Sequence, residues 1–434
     1  MVFTFSSIAL PQMNLSVDDA SWYGSIPSFG SPFGSIISGL TIDKYGRKFS
    51  LVISIIPTII GWVLMCLNFG ITTIFIGRFL TGMISGSLLV GQVYTAECVI
   101  VNHYHLRNSF TMWEPLSAAF GILLTYILGS LLPYENVAYI TTIVTIFSLL
   151  GILLFIPESP HWLFNRGLIK KAKISEKRLN IRQPILQDLN IILSEDFNLK
   201  SCLQSIKTGI RKLRRKDVYK PLFIMTTWCT SVMYTGGAAL NAYMVDIIST
   251  SSHENILSDY TEYRNVSFRY DLSIISGVLI LLAVILASSF VTYVGIKKLF
   301  FFSSFNAFIG LVALTFSLSY QSLDKNQNVL NMIHVISIWL ITFFYSFGVI
   351  TVPCSILGEM FPYDAKGFAS IPVMGLCFSA AVAIKLHLYL CSYFGAFTYI
   401  LYAFVNLANV IFVYFLVPET VGKTLEEIGE RFLK

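Results

Sequence analysis

The sequence predicts an all-α membrane protein of twelve transmembrane helices in two repeated six-helix halves. Three observations carry that expectation. Composition is the first: of 434 residues, 55% are hydrophobic and only 12% charged, with a mean hydropathy of +0.69. An ordinary soluble domain carries about twice that charge fraction, which excludes a soluble enzyme. Spacing is the second, because the apolar residues fall in runs of about 20, the number a helix rising ~1.5 Å per residue needs to cross ~30 Å of hydrocarbon. Short alternating segments, the mark of a membrane barrel, are not the pattern. Repetition is the third: Pro157-Glu158-Ser159-Pro160 closes six runs and Pro418-Glu419-Thr420 closes six more, at an offset of 261.

The runs lie at 1–13, 20–42, 50–68, 71–95, 109–133 and 138–156, then at 221–248, 272–294, 299–319, 330–354, 369–392 and 396–417. Residues 1–156 read as one six-helix bundle, 157–220 as an insert, 221–417 as the second bundle and 418–434 as a tail. The first run reaches only about 20 Å as a helix. Helix 1 therefore reads as truncated, either because translation starts upstream or because the helix is shortened. Without a basic leading region it fits a cleaved signal peptide poorly.

Charge orients the chain. Between Glu158 and Lys220 there are 15 Lys/Arg and 6 Asp/Glu, a local balance of +9 in a chain of net +6. Basic flanks resist translocation, which puts this insert, both termini and the turns after the second, fourth, eighth and tenth runs in the cytosol. The insert is expected to form short amphipathic helices around 168–216. The acidic 249–271 segment falls outside, as do the sequons at Asn14 and Asn265, candidate glycosylation sites. The basic run Arg211 to Lys216 reads as a solvated topology determinant rather than a lipid or nucleic-acid site. Seven cysteines, mostly inside apolar runs, suggest neither a disulfide framework nor a metal site.

Two further repeats support duplication. Glu97 recurs as Glu359 at an offset of 262, and Asp43-Lys44-Tyr45-Gly46-Arg47-Lys48 recurs, eroded, as Thr292 to Lys298. Parallel six-helix repeats enclose a central site near the bilayer midplane. Gly46 permits the tight reversal between the second and third runs, and Asp43, Arg47 and Lys48 can join ionic contacts with neighbouring helix ends. Glu97, Arg107 and Glu158 of the first half, with Glu359, Lys366 and Glu419 of the second, place opposite charges where the halves meet. Such partly exposed pairs are worth ~0.2–1 kcal/mol each, enough together to bias a rocking equilibrium without locking it. They are assigned to an inner gate, against the simpler role of anchoring helix ends. Gly30-x3-Gly34 and Gly82-x3-Gly86 read as close-packing sites.

Gly39-x3-Asp43-x2-Gly46-Arg47-Lys48, Gly77-Arg78, Tyr94-x2-Glu97, Pro157-Glu158-Ser159-Pro160 and Pro418-Glu419-Thr420-x-Gly422-Lys423 resemble the signatures of the sugar porter family of the major facilitator superfamily, over essentially the whole chain. Pro115, Lys385 and Ala20-Ser21-Trp22 are similar to insect facilitated trehalose transporters. The resemblance implies a major facilitator fold and a sugar cargo.

Ionisable groups inside apolar runs cost at least ~2.5–3.5 kcal/mol at the membrane centre, so they are functional candidates. Arg78 either snorkels to the outer boundary or serves the site. Glu114 reads as part of the gate with Arg107, Lys385 as facing the cavity or a carbonyl, and His387 as a packing histidine. In proton-coupled relatives a carboxylate in helix 1 faces the arginine of helix 4. That position falls near Val2 here, and valine cannot titrate. The resemblance thus implies facilitated diffusion.

Departures from the family centre on the cargo site. The amide positions of helix 7 fall on Val232, Met233 and Ala238, the glutamine of helix 5 on Pro115, and the aromatic positions of helices 10 and 11 on Cys354 and Cys377. The remaining candidates are Gln92, Tyr234, Thr235, Asn241, Tyr243, Thr351, Ser355 and Lys385. The function expected is facilitative uniport of trehalose or a hexose such as glucose across the plasma membrane. Alternatives are transport of a non-sugar solute, or a sensor that binds without moving its ligand. No cofactor, metal, nucleic acid or obligate protein partner is implied, since the chain has no phosphate-cradling glycine loop and no catalytic nucleophile.

Overall fold

The computed structural model describes residues 1–13, 15–67, 69–85, 90–91, 93–94, 113–179, 213–249, 259–320, 327–356, 360, 368, 370–418 and 432. Every regular element among them is helical. The first half comprises α1 (Phe5–Ala9, continued as a 3-10 turn, Leu10–Gln12), α2 (Val17–Tyr45), α3 (Arg47–Leu67), α4 (Ile71–Gly82), α5 (Trp113–Leu131) and α6 (Tyr134–Phe155). Two short helices of the insert follow, α7 (Pro160–Asn165) and α8 (Ile169–Arg178). In the second half come α9 (Lys216–Met233), α10 (Gly237–Ala242), α11 (Met244–Ser249), α12 (Asp259–Val294), α13 (Ile296–Tyr320), α14 (Gln327–Phe344), α15 (Thr351–Ile356), α16 (Ser370–Phe394) and α17 (Phe397–Leu416). Each of the twelve apolar runs thus contains at least one helix. Among the described residues, seven stretches are long and apolar enough to span a bilayer alone, and Ile71–Ser85 and Pro115–Leu131 are shorter apolar helices.

Local sequence explains the elements. Helix α2 continues through Pro27 and Pro32, and the carbonyl that Pro27 deprives of its i+4 donor, that of Tyr23, accepts from Arg78 Nε (3.4 Å). Ser21, Ser25, Ser28, Ser31, Ser35 and Ser38 form a buried seam along it. Ser31 donates to the carbonyls of Pro27 (3.1 Å) and Gly82 (3.2 Å), and Ser38 shares a hydrogen bond with Ser54 (2.9 Å). A Cβ added at Gly30, Gly34 or Gly82 would run into backbone of the facing helix. The expected close packing of α2 on α4 is therefore real at those three positions, and Gly86 lies outside the described residues.

Three elements differ from expectation. The seventh run is broken into α9, α10 and α11, because Gly236 turns into the left-handed region (φ 89°) and a Cβ there would strike the Tyr402 ring. The tenth run carries a π-helical turn, Tyr345–Val349, before α15. Helix α12 starts at Asp259, so residues 259–271 of the expected outer loop are helical.

The halves meet through α2 against α16 and α5 against α12. Helices α1, α10 and α11 add a third contact at the end of the molecule away from the insert. There one apolar core joins both halves: Phe5, Ile8 and Tyr126 pack in the same cluster as Leu240, Tyr243, Ile248 and Ile384. A second core, around Trp228, Phe300 and Val352, belongs to the second half alone.

Candidate functional site

Arg78 does not snorkel. It is fully buried in α4 at 0% exposure, and its guanidinium spends its donors on neutral oxygens: the carbonyl of Val2 (2.8 Å), the hydroxyl of Ser6 (2.5 Å) and the carbonyl of Tyr23 (3.4 Å). The rings of Tyr23 and Phe5 face it at 4.7 and 5.7 Å. No carboxylate contacts Arg78 among the described residues. A buried cation held this way is costly but satisfied, with cation–π attraction and hydrogen bonds in place of a counter-ion. Position 2, where the expected carboxylate would stand, instead offers its backbone.

Across the interface of the halves, the contacts are of a different kind. Lys385 of α16 lies over the ring of Trp22 of α2 at 3.2 Å, and Tyr389 donates a hydrogen bond to Asp18. Lys385 therefore faces an aromatic ring rather than a carbonyl or lipid. Tyr243 donates to the carbonyl of Ile384 (3.3 Å) and stacks on His387 at 5.6 Å. His387 is bonded to the Tyr402 hydroxyl (3.0 Å) and is buried, the packing role expected. Asp18, Tyr389 and Tyr402 were not singled out from the sequence; only Trp22 carried a signal, through its place in the family motif.

The other candidates scatter along the second half. Tyr234 ends α9, and Thr235 is buried with its hydroxyl returned to the Val232 carbonyl (2.7 Å). Thr351 bonds to the Ser346 carbonyl across the π turn, and Ser355 to Val352 (2.9 Å). Asn241, on α10, differs from these. Its carboxamide oxygen is buried with no hydrogen-bond partner. A buried acceptor without a partner costs about 1–3 kcal/mol, a condition Asn241 shares with the Asn406 oxygen and the Tyr23 and Tyr126 hydroxyls. Val232 and Met233, which stand at the expected amide positions, are buried in the second core.

At the inner rim, the geometry is built on backbone. Gly46 adopts φ 99°, and a Cβ there would collide with the Glu158 carboxylate. That carboxylate accepts from the backbone N–H of Arg47 (2.8 Å), Lys48 (3.2 Å) and Ser159 (3.0 Å), capping the start of α3. Lys48 Nζ donates to the Leu153 carbonyl (2.7 Å), and Tyr94 to that of Pro157 (2.9 Å). Glu158 is thus committed to its own half. Gln92, Glu97, Arg107, Glu359, Lys366, Glu419 and Asn14 lie outside the described residues, as do the side chains of Asp43, Glu114 and Asn265. At the entry to the second half, Arg215 Nε and Nη2 contact Asp217 at 3.1 and 2.6 Å and hold its carboxyl below the usual carboxylate range. Among the described residues, no cluster of His, Cys, Asp or Glu has metal-binding geometry.

The chain is similar to sugar transporter ERD6-like 6 of Arabidopsis thaliana, 29% identical over 97% of this chain and 84% of the relative. It is similar to facilitated trehalose transporter Tret1 of Apis mellifera ligustica, 27% identical over 96% and 80%. Its fold matches the inward-open xylose transporter XylE from E. coli with a TM-score of 0.70, at 18% identity over 99% of this chain and 94% of that one. These likenesses establish a multi-pass membrane protein of the major facilitator fold that is not an enzyme. The family model described as sugar (and other) transporter covers residues 7–432, and the chain belongs to that family.

Proposed function

We propose that this protein moves a sugar, trehalose or a hexose such as glucose, across the plasma membrane by facilitated alternating access. The observation that carries the mechanism is the ring of neutral partners around Arg78. Among the described residues no carboxylate touches the guanidinium, which supports a site without the ion pair whose protonation would couple cargo to a proton. The apolar core shared by α1, α10 and α11 closes one end of the bundle, which we assign to the outer face, with both termini in the cytosol. Opening that end requires separating Lys385 from Trp22 and Tyr389 from Asp18, contacts weak enough to break. The inner gate is assigned to Glu97, Arg107, Glu359, Lys366 and Glu419, with Asp43, Gly46, Arg47, Lys48 and Glu158 fixing the first half's helix ends.

The cargo reading rests on the names of the relatives and on Asn241. Its unpartnered oxygen can accept from a sugar hydroxyl, with Tyr234, Thr351, Ser355 and Gln92 as further polar contacts. The apolar residues at the amide positions favour a second reading, a less hydroxylated solute. Uptake of labelled trehalose and glucose into proteoliposomes separates the two. Saturable entry with counterflow supports the proposal, whereas no entry of either sugar together with entry of another solute overturns it.

A further inference from the structure

The inner end of the first half carries a cavity of about 460 Å³ that sugar transport does not use. It lies between the start of α3 and helix α8 of the insert, and Lys48, Trp162, Leu168, Lys171, Ile174 and Arg178 line it. We propose that this cavity binds the headgroup of an anionic phospholipid bearing phosphomonoesters on an inositol ring.

Charge is the first argument. Three cations border the cavity, and its lining carboxylate, Glu158, is already engaged by the three backbone N–H groups at the turn into α3 and after Pro157. Lys171 and Arg178 form no ion pair or hydrogen bond among the described residues. Position is the second. Lys48 Nζ reaches the Leu153 carbonyl in the last turn of α6, whose Leu154 and Phe155 are 68% and 80% exposed, as residues facing acyl chains would be. The cavity therefore opens at the level where headgroups begin. Chemistry is the third: on α8 the exposed Ile169 and Ile174 sit among five Lys/Arg, a surface that suits a bilayer interface and not bulk water. Trp162 adds an interfacial indole. A cavity of this size exceeds one phosphate and suits a ring with its substituents.

Near an anionic surface each Lys or Arg strengthens binding about fivefold. The test measures binding of a short-chain phosphatidylinositol bisphosphate to purified full-length protein in neutral-lipid nanodiscs. Lys171→Gln with Arg178→Gln should weaken binding about 25-fold with an unchanged melting temperature. Lys170→Gln with Lys173→Gln, on the same helix but off the cavity, should change it less than threefold. Equal losses in both pairs would mean a diffuse basic patch and overturn the proposal. Soluble inositol bisphosphate binding as tightly as the lipid would overturn the lipid assignment. The assay reads no sugar, so it stands or falls independently of the cargo.

Discussion

At the inner rim the two halves use one construction. Lys48 donates to the carbonyl of Leu153 at 2.7 Å and Lys297 to that of Tyr414 at 3.2 Å, acceptors 261 positions apart, and each lysine follows a glycine of positive φ, Gly46 at 99° and Gly295 at 89°. At the midplane they part. Arg78 is buried in α4, while the offset of 262 that relates Glu97 to Glu359 carries position 78 to Leu340. Turning a chain tightly between two membrane helices makes the same demand in both halves, so the same residues persist. A buried guanidinium meets no such general demand, and it stands in one half alone, as the proposed role in the cargo pathway would have it.

Making the first half like the second at the midplane is the severest test. Arg78→Leu takes the guanidinium's donors from the Val2 and Tyr23 carbonyls, each costing about 1–3 kcal/mol, while Ser6 keeps its bond to the Phe3 carbonyl. Transport should fall more than tenfold in vesicle uptake, and Arg78→Lys, which keeps the charge but loses the fork, should recover only part. At the rim, Gly46→Ala forces both backbone strain of about 1–3 kcal/mol and displacement of the Glu158 carboxylate, so it should lower the melting temperature more than Gly295→Ala. Equal shifts would show that the Glu158 cap adds nothing. The smallest effect is expected where the second half begins. Arg215 lowers the Asp217 pKa, so the stability this pair adds is present above the unfolded carboxyl value near ~3.9 and is lost as pH falls through the lower folded value. Asp217→Asn should cost less than ~1 kcal/mol at neutral pH, and the gap to wild type should close on acidification in thermal melts.

Spans were legible in the sequence because hydrocarbon thickness fixes their length, and duplication was legible because Glu97, Glu158 and their counterparts recur in the same order at nearly equal offsets. The break at Gly236 was not, since a glycine inside an apolar run reads equally as packing; what decides it is the Tyr402 ring from α17, distant in sequence. Lys385 was recognised as a charge needing a partner, yet its partner Trp22 lies on the other half. Asn241 was named for its type alone, and its unpartnered oxygen is visible only in three dimensions. Periodicity reports what each helix buries and says little about which helix it meets.

Alternating access requires the end closed by α1, α10 and α11 to open once per cycle. Cysteines at Asp18 and Tyr389, joined by a short bifunctional thiol reagent, test this directly, with each single-cysteine variant as control. We expect cross-linking to stop sugar uptake and reductant to restore it. Uptake that continues at the same rate across an intact link would contradict the account.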